Sequence, residues 1–217
     1  MIGGTDLEST DIMTRDKFIQ DYWIYYLMLE KKFIATENYV ALAPENYNTF
    51  SNEYVSLLQL IGAELDAFFK KYCGFQLDEK KNISHYAMII LANDSEIKQQ
   101  KIEVNNSDLV IQPFANWDAQ IAKQSLVWWE AFDTIKHNRI EKRTNASLKN
   151  VLDMLGALFL LEMKYLKQIS IEHGEPDIPN EESALFTLRG WKFEYFSGGD
   201  AFLKLIEIVE EEFGETK

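Results

Sequence analysis

The chain has 217 residues, 47% of them hydrophobic and 13% aromatic, and carries 35 acidic against 22 basic side chains for a formal charge of −13. That apolar content excludes an intrinsically disordered chain, and four prolines and ten glycines are too few for a many-turned β-sandwich. The acidic balance excludes nonspecific coating of nucleic acid, leaving only a confined cationic site able to meet phosphate. A single cysteine, Cys73, rules out an internal disulfide and a cysteine-based metal site, which fits a cytoplasmic setting. No basic segment followed by an apolar stretch opens the chain, so no secretory signal is expected. The longest apolar run, Met154 to Leu161, is well short of the about 20 residues that a bilayer span needs, so no membrane partner is expected either.

Residues 1–15, with the Gly3-Gly4 pair, read as a disordered leader, and 16–217 as one helical domain. Phe18, Tyr22, Tyr25, Tyr26, Leu29 and Phe33 recur at spacings of three and four, predicting a helix to about Leu42 that Pro44 breaks. Ser51 is a good N-cap, Glu53 suits the first turn, and Tyr54, Leu57, Leu58, Ile61, Leu65, Phe68 and Phe69 form a second stripe stopped by Gly74. A shorter helix is expected over Ser84 to Ala92. Residues 101–114 predict a β-hairpin around Asn105-Asn106-Ser107-Asp108, and a lone hairpin has to lean on the helices.

A helix from about Ser125 to Ile140 carries the densest chemistry, since Asp133, Lys136, His137 and Arg139 fall within it. The next helix, opened by Asn145 and ending near Gln168, is apolar on nearly every side, which implies burial at the centre of the fold or in a dimer. A loop with Pro176 and Pro179 leads to a last amphipathic helix at Asp200 to Phe213.

On one helical face, Asp133 can orient the His137 imidazole four residues later, while Lys136 and Arg139 reach a phosphate. His137 is then a general acid or base for cleaving a phosphodiester, with the RNA 2′-hydroxyl as nucleophile and no metal required. The plainer alternative is a cationic helix end that complements the dipole. Trp128 reads as core; Trp129 shares a side with Asp133 and Lys136 and is the better candidate for a wall that stacks bases. Arg143, in the basic link after the helix, extends the phosphate-binding set. Glu64 can accept from His137 or pair with Arg139 across helices, or sit as a solvated flank. No Glu-x-x-His occurs, so a di-metal carboxylate centre has no support, and no phosphate-cradling glycine loop or serine-hydrolase elbow is present. Neither metal nor cofactor is expected.

Several segments stand in a familiar order: Ser51-Asn52-Glu53-Tyr54, Gly62-Ala63-Glu64-Leu65-Asp66, Pro113-Phe114-Ala115-Asn116-Trp117, Trp128-Trp129 with Ile135-Lys136-His137-Asn138-Arg139, and Asn145-Ala146-Ser147-Leu148-Lys149-Asn150. From Lys17 to Lys167 this order resembles bacterial proteins of a HEPN-like kind. The resemblance implies an all-α, up-and-down helical bundle of five to six helices with the small hairpin insert, commonly a homodimer. It implies a place in toxin or defence systems and metal-independent RNA cleavage at a site shared by two subunits. The family's usual motif sets an arginine four to six residues before the histidine. Here His137 instead precedes Arg139 by two, so only His137 carries over as the catalytic histidine. Lys136 or Arg139 takes the missing arginine's place on grounds of charge. RNA binding or cleavage is the expected function; a non-catalytic helical scaffold for a protein partner is the alternative.

Overall fold

The computed structural model describes residues 13–76 and 78–191. Most of the expected leader and all of the helix expected at Asp200 to Phe213 lie outside the described residues. The described chain is mostly helical, with a small three-stranded antiparallel sheet.

Helix α1 begins at Arg15–Phe18, capped by the Thr14 hydroxyl, passes through a π-helical turn at Ile19–Trp23 and continues over Ile24–Ala35. It stops short of the expected Leu42 because local side chains take over its last carbonyls. Thr36 Oγ1 donates to Phe33 O (2.7 Å) and Asn38 Nδ2 to Ala35 O (3.0 Å). Helix α2, Asn52–Tyr72, starts at the expected Ser51 cap, whose hydroxyl accepts from Tyr54 N. Helix α3, Ile83–Asn93, is capped by Asn82 with His85 returning the bond. Short α4, Ala122–Ser125, leads to α5, Val127–Lys142, and then to α6, Leu148–His173. Helix α6 runs beyond the expected Gln168 to a left-handed stop at Gly174, φ 65°.

Three helices form the centre, and their register is readable from contacts. Phe50, just before α2, bridges Ser147, just before α6, and Phe68 packs edge-on against Tyr165 at 5.7 Å. The offset is the same at both ends, so α2 and α6 run parallel. Helix α1 runs against both: Phe18 meets Phe68 and Tyr165, Tyr26 meets Phe159, and Thr36 reaches Tyr54. Central α6 is buried on every side through Val151 to Met163, apart from half-buried Asp153. Gly62 lets α5 approach α2, since a β-carbon there would lie 2.3 Å from the Phe132 ring.

The expected hairpin forms as β1, Ile102–Val104, and β2, Val110–Ile111, turning through Asn106 at φ 57°. A third strand, β3 (Phe186–Leu188), pairs on the other edge of β1 in a region read from sequence as loop. Its approach is fixed by Glu30, a buried carboxylate of α1. Glu30 accepts from Ala184 N (2.9 Å), Leu185 N (3.3 Å), the Ser183 hydroxyl and the Tyr26 hydroxyl (2.6 Å). The sheet lays Ile102, Ile111 and Phe186 on α6, where Gly156 leaves room for Ile111.

Candidate functional site

The first half of α5 belongs to the core. Trp128 Nε1 donates to Pro113 O at 2.8 Å, and Ile135 is fully buried. Trp129, expected as a wall for bases, is 6% exposed and packs edge-on against Phe69 and Phe132. The reason is geometric: α5 is wedged between α2 and the segment around Phe114 and Trp117, so both tryptophans face protein.

After Ile135 the helix leaves the core, and every residue from Lys136 to Thr144 is exposed. Asn138 has φ −145° and ψ 68°, a break inside the helix. Its side chain then caps the turn beyond, donating to Glu141 Oε2 (2.7 Å) and accepting from Glu141 N (3.4 Å). Lys136 and His137 therefore end one helical segment, and Arg139, Lys142 and Arg143 belong to the next. The single unbroken helix expected to carry both His137 and Arg139 is thus interrupted between them.

The Asp133–His137 arrangement also differs from a fixed pair. Lys123 of α4 holds Oδ2 of Asp133, and His137 Nε2 stands 3.6 Å from Oδ1, too far for a hydrogen bond. The imidazole is 71% exposed. Glu64 does not face it. On α2, Glu64 lies two residues beyond Gly62, which abuts Phe132 of α5, and residues two apart point to different sides of a helix. Glu64 is half-buried on the α1–α6 side, where burial raises its carboxyl above the ordinary range and its charge acts on Tyr22 and Glu162.

What the structure does bring together is charge with aromatic surface. Lys136, Arg139, Lys142 and Arg143 form no ion pair among the described residues. The one carboxylate in the stretch, Glu141, is engaged by Asn138. Lys136 Nζ lies 5.7 Å from the Phe132 ring centre, and the Arg143 guanidinium lies 5.9 Å from that of Phe50, itself 41% exposed. Lys149, paired with Asp153, covers Tyr47 at 5.6 Å. Phe50 and Tyr47 were not foreseen as site residues. In sequence they sit in a loop broken by Pro44, and the backbone pairing around Phe50 and Ser147 carries that loop to the end of α5. Among the described residues no cluster of three or more histidine, cysteine or acidic side chains is arranged to hold a metal, and no helix is long and apolar enough to cross a membrane.

At the level these observations reach, the class is a mostly helical protein with a small antiparallel sheet and an exposed cationic helix end. No protein-family model, curated protein or solved structure matches the chain.

Proposed function

We propose that the chain is a HEPN-like RNA-binding protein that meets single-stranded RNA with the exposed end of α5 and the link to α6. One observation carries the reading: within a strongly acidic protein, four cations in eight residues stand in solvent without a carboxylate partner among the described residues. Four cations against the single carboxylate of Glu141 leave an excess of like charge, and a polyanion relieves that repulsion. The neighbouring aromatic surface suits unstacked bases rather than a duplex.

Binding rather than cutting is the reading for one chain alone, because His137 stands too far from Asp133 for a hydrogen bond and the helix breaks at Asn138, between it and Arg139. Metal-independent cleavage by His137 belongs to this proposal only as the act of a homodimer in which a second copy completes the site. The bundle arrangement, the homodimer and a cytoplasmic role in defence are parts of the same proposal. The rival reading, a non-catalytic scaffold for a protein partner, draws on the exposed apolar side chains Val127 (64%) and Ile140 (83%) at the two ends of α5.

Fluorescence anisotropy with a labelled single-stranded RNA tests the reading, comparing wild type with a variant in which Lys136, Arg139, Lys142 and Arg143 are all alanine. Binding should weaken steeply with salt. Removing four phosphate contacts should make the log-affinity slope shallower by about 3, at about 0.7 per contact on a single strand. Absence of binding by the wild type at low salt would favour the scaffold. RNA integrity in EDTA, with His137→Ala beside wild type, separates binding from cutting.

A further inference from the structure

The chain has a cavity of about 300 Å³ between the end of α1 and the start of α2, walled by Tyr39, Val40 and Tyr54 and rimmed by Lys32, Ser51 and Glu53. It arises because α1 stops early. The turn held by Thr36 and Asn38 swings the chain away from α2 just where α2 begins, and nothing among the described residues fills the gap. Tyr39, on that turn, is 89% exposed, an unusual place to leave an aromatic ring uncovered.

The cavity adjoins the cationic end of the molecule. Ser51 lines it; the preceding residue, Phe50, carries the Arg143 guanidinium over its ring and bridges Ser147. The Arg143 contact and the cavity lining therefore fall on adjacent residues of the chain, Phe50 and Ser51, about 3.8 Å apart at Cα.

The rim chemistry is selective. Lys32 offers only donors and Glu53 only acceptors, and neither is in an ion pair among the described residues. Every nucleobase sets an acceptor beside a donor on one edge, but only a base with two adjacent N–H groups next to that acceptor fills both oxygens of Glu53 as well as meeting Lys32, with a flat face for Tyr39. Guanine does so, with O6 for Lys32 and the N1 and N2 hydrogens for Glu53. Adenine has no N1 hydrogen and no O6, and uracil lacks an exocyclic amine. Read as a single-stranded base, the ligand also accounts for the adjoining cations, which a free uncharged aromatic would not use.

We infer that this cavity is a guanine-binding subsite for an unstacked base of single-stranded RNA, with Tyr39 stacking on the base, Glu53 accepting from its N–H edge and Lys32 donating to O6. The inference rests on the RNA-binding reading above and adds base selectivity to it.

The test uses the full chain and labelled uridine octamers carrying one central guanosine, adenosine or cytidine, read by anisotropy. Wild type should bind the guanosine octamer about tenfold more tightly than the others, within the range of a single stacked base. Tyr39→Ala and Glu53→Gln should each bring the guanosine octamer down to the level of the adenosine one while leaving the latter unchanged. Both positions are exposed, so far-ultraviolet circular dichroism should match wild type. Equal affinity for all octamers, a preference for cytidine, or indifference to both substitutions overturns the subsite and leaves the RNA-binding reading standing. Failure of every octamer to bind at low salt overturns the reading, and the subsite with it.

Discussion

Glu162 lies fully buried in the middle of α6, and neither carboxylate oxygen has a hydrogen-bond partner among the described residues. The common offset of α2 and α6 sets Glu64 at its level, and the antiparallel α1 brings Tyr22, in the π-helical turn, to the same layer. Burial, followed by the Glu64 charge, raises the Glu162 carboxyl well above its ordinary value, so the folded chain keeps its proton after the unfolded chain has lost it. Below the ordinary glutamate value of about 4.3 both states are protonated and the full stabilisation is present. As pH rises, the unfolded chain ionises first, and stability falls by about 1.4 kcal/mol per pH unit until the folded-state group also ionises. Glu162→Leu removes both the slope and the two orphaned acceptors, each orphaned group costing about 1–3 kcal/mol. Urea unfolding of wild type and variant across pH 4 to 8 should therefore give curves that diverge upward, the leucine variant gaining on wild type by about 1.4 kcal/mol per unit above the glutamate value. Using the difference cancels every other titrating group. Glu162→Gln should lose the slope as well, without the gain from deleting polar atoms. Parallel curves would mean instead that Glu162 is ionised and paired in the fold.

The Glu30→Ala variant should lose about 3 kcal/mol, since it strips charge-assisted bonds from two backbone amides and two hydroxyls at once. Hydrogen exchange should locate the loosening at Ala184, Leu185 and β3. Gly62→Ala should lower stability by about 1–3 kcal/mol despite alanine's better helix propensity, because its β-carbon meets a ring that cannot step aside. Gly156→Ala, whose one close approach is to the far end of Ile111, should cost less by the same thermal melt. Burial pushes the Cys73 thiol up to about 12, so alkylation at pH 8 should run about a hundredfold or more slower in the native protein than in urea.

The apolar stripes made the helical elements legible, because residues such as Phe18, Tyr54 and Leu155 repeat at helical spacing over many turns. The hairpin was legible from its Asn-rich turn. Strand β3 was not, since three residues carry no periodicity and its place depends on Glu30, more than 150 positions earlier. The site was legible as a cluster but not as a geometry. Spacing put His137 and Arg139 on one helix; the break at Asn138 depends on that side chain choosing to cap the next turn, a local competition that spacing does not register. Glu162 looked like the end of an apolar run, and its isolation follows only from what α1 and α2 bring against it.

The same parallel pairing that buries Glu162 also builds the proposed binding surface. Because α2 and α6 start side by side, the two loops that enter them, around Thr49–Phe50 and Arg143–Ser147, must meet. Leu148 N donates to Thr49 O (2.8 Å) and Lys149 N to Tyr47 O (3.2 Å). Those bonds carry the cations that leave α5 onto the aromatic side chains that follow α1, joining a basic segment and a cavity distant from it in sequence. Of the carboxylates between Lys136 and Lys149, only Glu141 stands in the basic stretch, and Asn138 occupies it. The stretch from Lys136 to Arg143 thus carries four cations against one carboxylate, a local balance opposite in sign to the protein's net charge, and such surface charge is screened beyond a Debye length of about 8 Å at physiological salt. On the proposed reading, a polyanion is held at this end by short-range contacts and repelled elsewhere, so that an acidic protein binds RNA at one place without coating it.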